Sequence, residues 1–223
     1  ASLYAKLPFD PARDFVPITE VAIIPQMLSV HPSIPARTVK ELVALAKSHP
    51  GALNYGTAGT GSTSHMAMEL FQSVAQIKLT HVPYKGTGPA MIELLGGHLS
   101  LMFDVIMTSL PHVQAGKLRT LAVSSLQRAP ITPQVPTIAE SGVPGYEFNT
   151  WVGVLAPAAT PPALIKLLNE HAVKAARSPE VTDRVTREGA DVVASSPEAF
   201  KATIAADTAL WGKVIREMNI KAD

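Results

Sequence analysis

The sequence predicts an α/β fold, and three features carry that prediction. The turn Tyr55-Gly56-Thr57-Ala58-Gly59-Thr60-Gly61-Ser62-Thr63-Ser64-His65 lies between a β-like run at 52–55 and a helical pattern. In that pattern Met66, Ala67, Leu70, Phe71 and Val74 recur at three- and four-residue spacing. From 52 to 124 strand-like and helix-like stretches alternate, the signature of a parallel sheet with covering helices. The C-terminal third is helix-rich, and Ser or Thr followed by Pro opens a helix at Thr160-Pro161, Ser178-Pro179 and Ser196-Pro197.

Taken in order, residues 7–11 form a turn-rich lead, and 15–29 form an apolar β-rich stretch that Pro25 interrupts. The leading residues 1–8 carry neither a secretion signal nor a convincing domain start, so the chain reads as beginning mid-fold. Thr38 and Glu41 have capping-box spacing, and Val39, Leu42, Val43 and Ala46 form a stripe ended by Pro50-Gly51. A strand is expected at 78–82. The loop Pro83-Tyr84-Lys85-Gly86-Thr87-Gly88-Pro89 then opens a helix at 90–95, with Pro89 just inside its start. An apolar strand at 99–105 carries Asp104 near its end, a short helix ends at Gly116, and another strand runs 118–124.

Residues 127–145, rich in Pro and Gly, read as a surface connection, and 147–157 is again β-like and contains Trp151. The first C-terminal helix presents Leu164, Leu167, Leu168, His171, Ala172 and Ala175 on one face, and a short strand is expected at 191–194.

Composition narrows the function. A hydrophobic content of 47% with 17% charged residues describes a globular chain and excludes disorder. A net charge of +1 supplies no basic field for nucleic acid or an anionic membrane. With no cysteine, disulfides, thiol nucleophiles and cysteine metal sites are excluded, and no apolar run is long enough to span a bilayer. The histidines show no metal-ligand spacing, so neither a metal nor a cofactor is expected.

The 55–65 turn has the make of an anion seat. Glycines let a ligand approach the backbone, and the first turn of a helix leaves amide N–H groups unpaired with a partial positive charge. It has neither the Gly-x-Gly-x-x-Gly spacing nor the lysine of a nucleotide loop, so a carboxylate fits better than a triphosphate. The same Ser62, Thr63 or Ser64 serves equally as a plain helix cap. Lys85 reads as an anion-attracting or a solvated lysine, Tyr84 as a packing or a contact residue, and Asp104 as bonded to a loop hydroxyl or to a ligand. Ser62 and His65 share a helix face at i, i+3, but no orienting acid is evident for a catalytic pair.

Six ordered blocks run through the chain: residues 53–65, His81-Val82-Pro83-Tyr84-Lys85-Gly86, Leu101-Met102-Phe103-Asp104, residues 115–123, residues 135–140 and Leu155-Ala156-Pro157. Together they resemble the substrate-binding proteins of tripartite tricarboxylate transporters, the TctC or Bug family. The resemblance implies a two-lobe, type II periplasmic-binding-protein-like fold with hinge strands. Lobe one would comprise 1–29 and 149–223, and lobe two 30–148. It implies a periplasmic protein, without catalysis, that captures a small carboxylate and delivers it to an inner-membrane permease.

The ligand contacts it implies fall on Thr57, Ala58, Gly59, Gly61, Ser62, Thr63, Ser64 and His65, on Tyr84, Lys85 and Gly86, on Asp104, and on Trp151 near the hinge. Members of the family carry an additional N-terminal segment, which leaves lobe one incomplete here. An α/β hydrolytic enzyme using Ser62 and His65, and a periplasmic sensor for a signalling kinase, are the alternatives.

Overall fold

The structure, a computed structural model, describes residues 2–3 and 7–221. The expectation for the leading residues falls partly on 1 and 4–6, which lie outside the described residues. In chain order the elements are α1 (Pro11–Asp14), β1 (Phe15–Val30), α2 (Val39–Ser48), β2 (Asn54–Thr57), α3 (Thr63–Ala75), β3 (Thr80–Pro83), α4 (Thr87–Leu95) and β4 (Leu101–Val105). There follow α5 (Ile106–Gln114), β5 (Arg119–Val123), β6 (Asn149–Pro157), α6 (Pro162–Ala176), α7 (Pro179–Arg187), β7 (Asp191–Val192) and α8 (Pro197–Glu217). No helix among the described residues is long and apolar enough to cross a membrane. The chain divides into two compact units, one of residues through Ile24 with Thr150–Lys221, the other Pro25–Asn149.

In the second unit the strand order is β3-β2-β4-β1-β5. β2 is parallel to β3 and to β4, whereas β1 is antiparallel to β4 and to β5. Hence β2, β3, β4 and β5 all run in one direction, as the alternation predicts, and β1 lies between β4 and β5 running against them. The sheet is mixed rather than parallel. Pro25 does not interrupt β1: it falls between Ala22 and Ile23, which pair with β7, and Gln26, where pairing with β4 begins. A residue without an N–H is tolerated where no ladder bond is required.

Helices α3, α4 and α5 follow β2, β3 and β4 directly, so their N-termini gather at one edge of the sheet. The helix expected at 90–95 begins earlier, at Thr87 after an N-cap at Gly86. Pro89 therefore sits at its third residue, still within the turn whose N–H groups have no intrahelical acceptor.

The core of this unit packs α4 on the sheet through Ala90, Met91, Leu94, Leu99, Met102 and Leu118. Phe71, Phe103 and Tyr146 form a second, aromatic layer, all fully buried, with ring centroids 5.9 to 6.2 Å apart. The Tyr146 hydroxyl donates to the Ala67 carbonyl at 3.2 Å, and burial pushes its pKa upward. Residues 127–145 lie at the surface over much of their length, Gln127, Arg128, Pro133, Gln134 and Pro144 among them exposed, but the segment is also anchored in the core. Ala129 and Val135 join Met27, Ile106 and Val123 in a core cluster, and Ile138 is fully buried. Some of its turns are closed locally, for example by the Val135 N–H on the Thr132 carbonyl at 2.9 Å, and the Ile138 N–H donates to the Val123 carbonyl of β5 at 3.0 Å, which ties the segment to the sheet.

In the first unit β6 and β7 pair with β1. Ser178 and Ser196 cap α7 and α8 through their hydroxyls, each followed by Pro at N1. The inward face of α6 is not the expected one. Leu164, Leu167 and Leu168 are 42%, 48% and 38% exposed, while Ala176 is buried and the side-chain amide of Asn169 donates to the carbonyls of Ile18 and Ser195 at 2.8 and 2.9 Å. The face turned inward is that of Ile165, Asn169, Ala172, Val173 and Ala176, on which Asn169 supplies the donor for two main-chain carbonyls.

Candidate functional site

The parallel register Thr57↔Pro83 and Gly56↔Met102 sets the ends of β2, β3 and β4 side by side. Ligands of α/β sheets collect at such strand ends. The turn after β2 is shaped by Gly59 and Gly61, at φ 129° and 78°, which a residue with a Cβ adopts only under strain. It is tied to the loop after β3 by main chain: the Tyr84 N–H donates to the Thr57 carbonyl and the Gly86 N–H to the Ala58 carbonyl, both at 3.1 Å. Thr57, Ala58, Gly59, Tyr84 and Gly86 thus form one rim.

The turn also binds itself. Ser62 caps α3 by accepting the His65 N–H at 3.4 Å and lies 3.1 Å from the Ser64 hydroxyl, which accepts the Ala58 N–H at 3.1 Å. The Thr57 hydroxyl accepts the Gly59 N–H at 3.2 Å. The Gly61 N–H donates to Nδ1 of His65 at 3.0 Å, and the other ring nitrogen faces Glu69 at 3.5 Å. Neither nitrogen of His65 is directed at Ser62, so the geometry does not assemble a Ser62–His65 catalytic pair. With these bonds made, the amides of Thr60, Thr63 and Ser64 donate to no acceptor among the described residues. Three free donors on a glycine-shaped helix start are the groups that an anion would need there.

The remaining predicted residues are placed differently. The Thr63 side chain is exposed, as is Lys85, which makes no ion pair among the described residues. Asp104 is buried at the end of β4 and accepts the Val105 N–H at 2.8 Å and the Thr108 hydroxyl. Burial raises its pKa, and the two donors offset part of that rise. Its bonds are thus to its own strand end and α5, with none to the 57–65 turn or to Lys85. Trp151 belongs to the first unit, where its indole N–H donates to Asp207 at 2.7 Å and its ring meets Phe200 edge-on at 5.1 Å.

Thr60, whose amide is one of the three free donors, lies within the turn marked from the sequence but not among its individually named contacts. The sequence reading missed the groups behind the turn: buried Tyr55, Glu69 and Gln72, and half-buried His81. One sequence signal pointed to Glu69, which follows His65 at i+4 on α3, whereas His81 comes to face Tyr55 only through the β2–β3 register.

A mixed α/β sheet with unpaired amides beside its strand ends is an architecture that gathers ligands at that edge. Residues 1–220 match the model described as "Tripartite tricarboxylate transporter family receptor", TctC, and the chain belongs to that family. It spans about two thirds of the length of the curated relatives it matches, 66% and 68% for two that are 35% and 34% identical to it.

Three solved structures are similar over most of the chain. An R. palustris protein with adipate is 36% identical at a TM-score of 0.87, covering 98% of this chain and 73% of the other. The periplasmic binding protein BugD is 30% identical at 0.85, covering 100% and 75%. MatC from Rhodopseudomonas palustris with bound malate is 30% identical at 0.83, covering 96% and 74%.

Proposed function

We propose that this chain is the ligand-capturing part of a periplasmic receptor that binds a small carboxylate and presents it to the membrane permease of a tripartite transporter. The observation that carries the reading is the set of unpaired amides of Thr60, Thr63 and Ser64 at the head of α3. Family membership and the solved relatives holding adipate and malate support a carboxylate as the anion they receive. Binding is by fixed main-chain dipoles, and a charge-assisted bond of this kind contributes about 1.5–3 kcal/mol. The two compact units serve as the receptor's two lobes, and no chemistry is performed on the ligand.

The test removes one donor and nothing else. Thr63 is the first residue of α3, its side chain is exposed, and Ser62 before it is extended at φ −66° and ψ 163°. Proline is accommodated at such a position and lacks the N–H. Thr63→Pro is expected to melt like the wild type and to bind malate or adipate about 10- to 100-fold more weakly by calorimetry. Unchanged affinity in a variant of wild-type stability removes the turn from the binding site.

A further inference from the structure

Behind the anion seat lies a buried polar cluster that the seat does not itself use. Glu69 Oε1 accepts the Tyr55 hydroxyl and the Gln72 side-chain N–H, the latter at 2.8 Å, and stands 3.5 Å from Nε2 of His65. The opposite nitrogen of that ring, Nδ1, accepts the Gly61 amide. An accepting nitrogen carries no proton, so the ring is neutral and its proton sits on Nε2, toward Glu69.

A second imidazole, His81 of β3, stacks on His65 with centroids 4.0 Å apart and planes 9° from parallel. Its Nε2 lies 2.7 Å from the Thr57 hydroxyl that holds Gly59. The titratable groups facing His65 are therefore Glu69 of its own helix, His81 of β3 and Tyr55 of β2. Burial works to raise the Glu69 pKa, the hydrogen bonds from His65 and Tyr55 are the largest influences against it, and the net direction is below the usual carboxylate value, so Glu69 is ionised at neutral pH.

We propose that Glu69 is a positioning residue for the ligand turn, acting through His65: its carboxylate keeps the imidazole proton on Nε2, which leaves Nδ1 free to hold Gly61 between the donors Thr60 and Thr63. The inference rests on the reading of this turn as the ligand seat. The carboxylate lies on the far side of the ring from Gly61, and its influence passes through the choice of tautomer. A proton added to Nδ1, or an uncharged group in place of Glu69, removes the reason for Gly61 to stay where it is.

The experiment follows the His65 ring nitrogens and the Gly61 amide by 15N NMR in the full chain. In the wild type near neutral pH, Nδ1 is bare and Nε2 protonated, and on acidification the Gly61 resonance moves in step with protonation of Nδ1. Glu69→Gln, which preserves side-chain shape, is expected to give a mixed tautomer, faster solvent exchange at Gly61, and about tenfold weaker binding of malate or adipate. A Glu69→Gln ring with the wild-type tautomer overturns the inference, as does a wild-type Gly61 amide that ignores the His65 titration. Should Glu69→Gln fail to fold, the wild-type titration alone decides. If the wild type binds neither acid while ring and amide remain coupled, the ligand assignment falls and the coupling stands.

Discussion

Replacing Gly59 by Ala places a methyl group at a backbone angle of φ 129°, with its Cβ 3.2 Å from the Tyr84 carbonyl oxygen. That oxygen belongs to a main chain held on both sides, by the Tyr84 N–H on Thr57 and the Gly86 N–H on Ala58. It has little freedom to withdraw. A side chain in so sparsely populated a region costs roughly 1–3 kcal/mol. For a chain of 223 residues a loss of about 2 kcal/mol lowers the melting temperature by about 4–8 °C. Because the strain is relieved by rotating the turn, the same variant should lose carboxylate affinity along with stability.

Gly116→Ala is the control. It has a comparable backbone sign, φ 68°, but open space where the Cβ would stand, at the end of α5. It should cost about 1–2 kcal/mol and leave affinity intact. Thermal melts and calorimetry on both variants read the difference. A Gly59→Ala protein that melts and binds like the wild type would show that the turn is not held in this conformation, and the argument for preset amides would go with it.

Three further outcomes are expected. Burial first, and the neighbouring His65 second, lower the His81 pKa from 6.5 to about 4. The unfolded chain then takes up a proton that the folded chain refuses, so stability present above 6.5 is lost as pH falls towards 4, by roughly 2 kcal/mol after allowing for partial exposure. Urea midpoints measured across that window should fall less steeply in His81→Gln, and equal slopes contradict the assignment. Asp104 is the opposite case: its pKa is raised above 3.8, so its favourable contribution is complete below that value and is lost as pH rises through the folded-state pKa. Asp104→Asn should therefore gain stability on the wild type as pH increases, and a gap that stays constant with pH rules this out. Finally, Trp151→Phe removes the donor to Asp207 while keeping a ring against Phe200. A loss of about 1 kcal/mol in chemical denaturation is expected, and none if that bond is not formed in solution.

The legible parts of this chain were those written in local chemistry. Ser62, Ser178 and Ser196 cap their helices where hydroxyl and proline spacing place them. The alternation from 52 to 124 correctly gave strands of one direction, because each short strand is followed at once by its helix. Features decided by distant partners were not legible. Nothing near Pro25 reveals that two different pairing partners meet on either side of it, and the leucines of α6 outweigh Asn169 until the carbonyls of Ile18 and Ser195 are in place. Residues 127–145 have loop composition and are exposed over about half of their length, yet bury Ala129, Val135 and Ile138 against partners far away in sequence, which composition does not reveal. At the site, the glycines and hydroxyls marked the turn. The Tyr55–Glu69–His65–His81 cluster required the β2–β3 register, which composition does not encode.

The two loops at the strand ends are fastened by amide and carbonyl groups, which every residue but proline possesses in full. A seat assembled in this way is inherited as a backbone shape and is largely indifferent to which side chains decorate it. Mutation can then revise the decoration, and with it the preference of the proposed site among ligands, while the main-chain shape of the turn is kept. Glycine positions such as Gly59 are where that tolerance ends, because there the shape itself is what the residue type encodes.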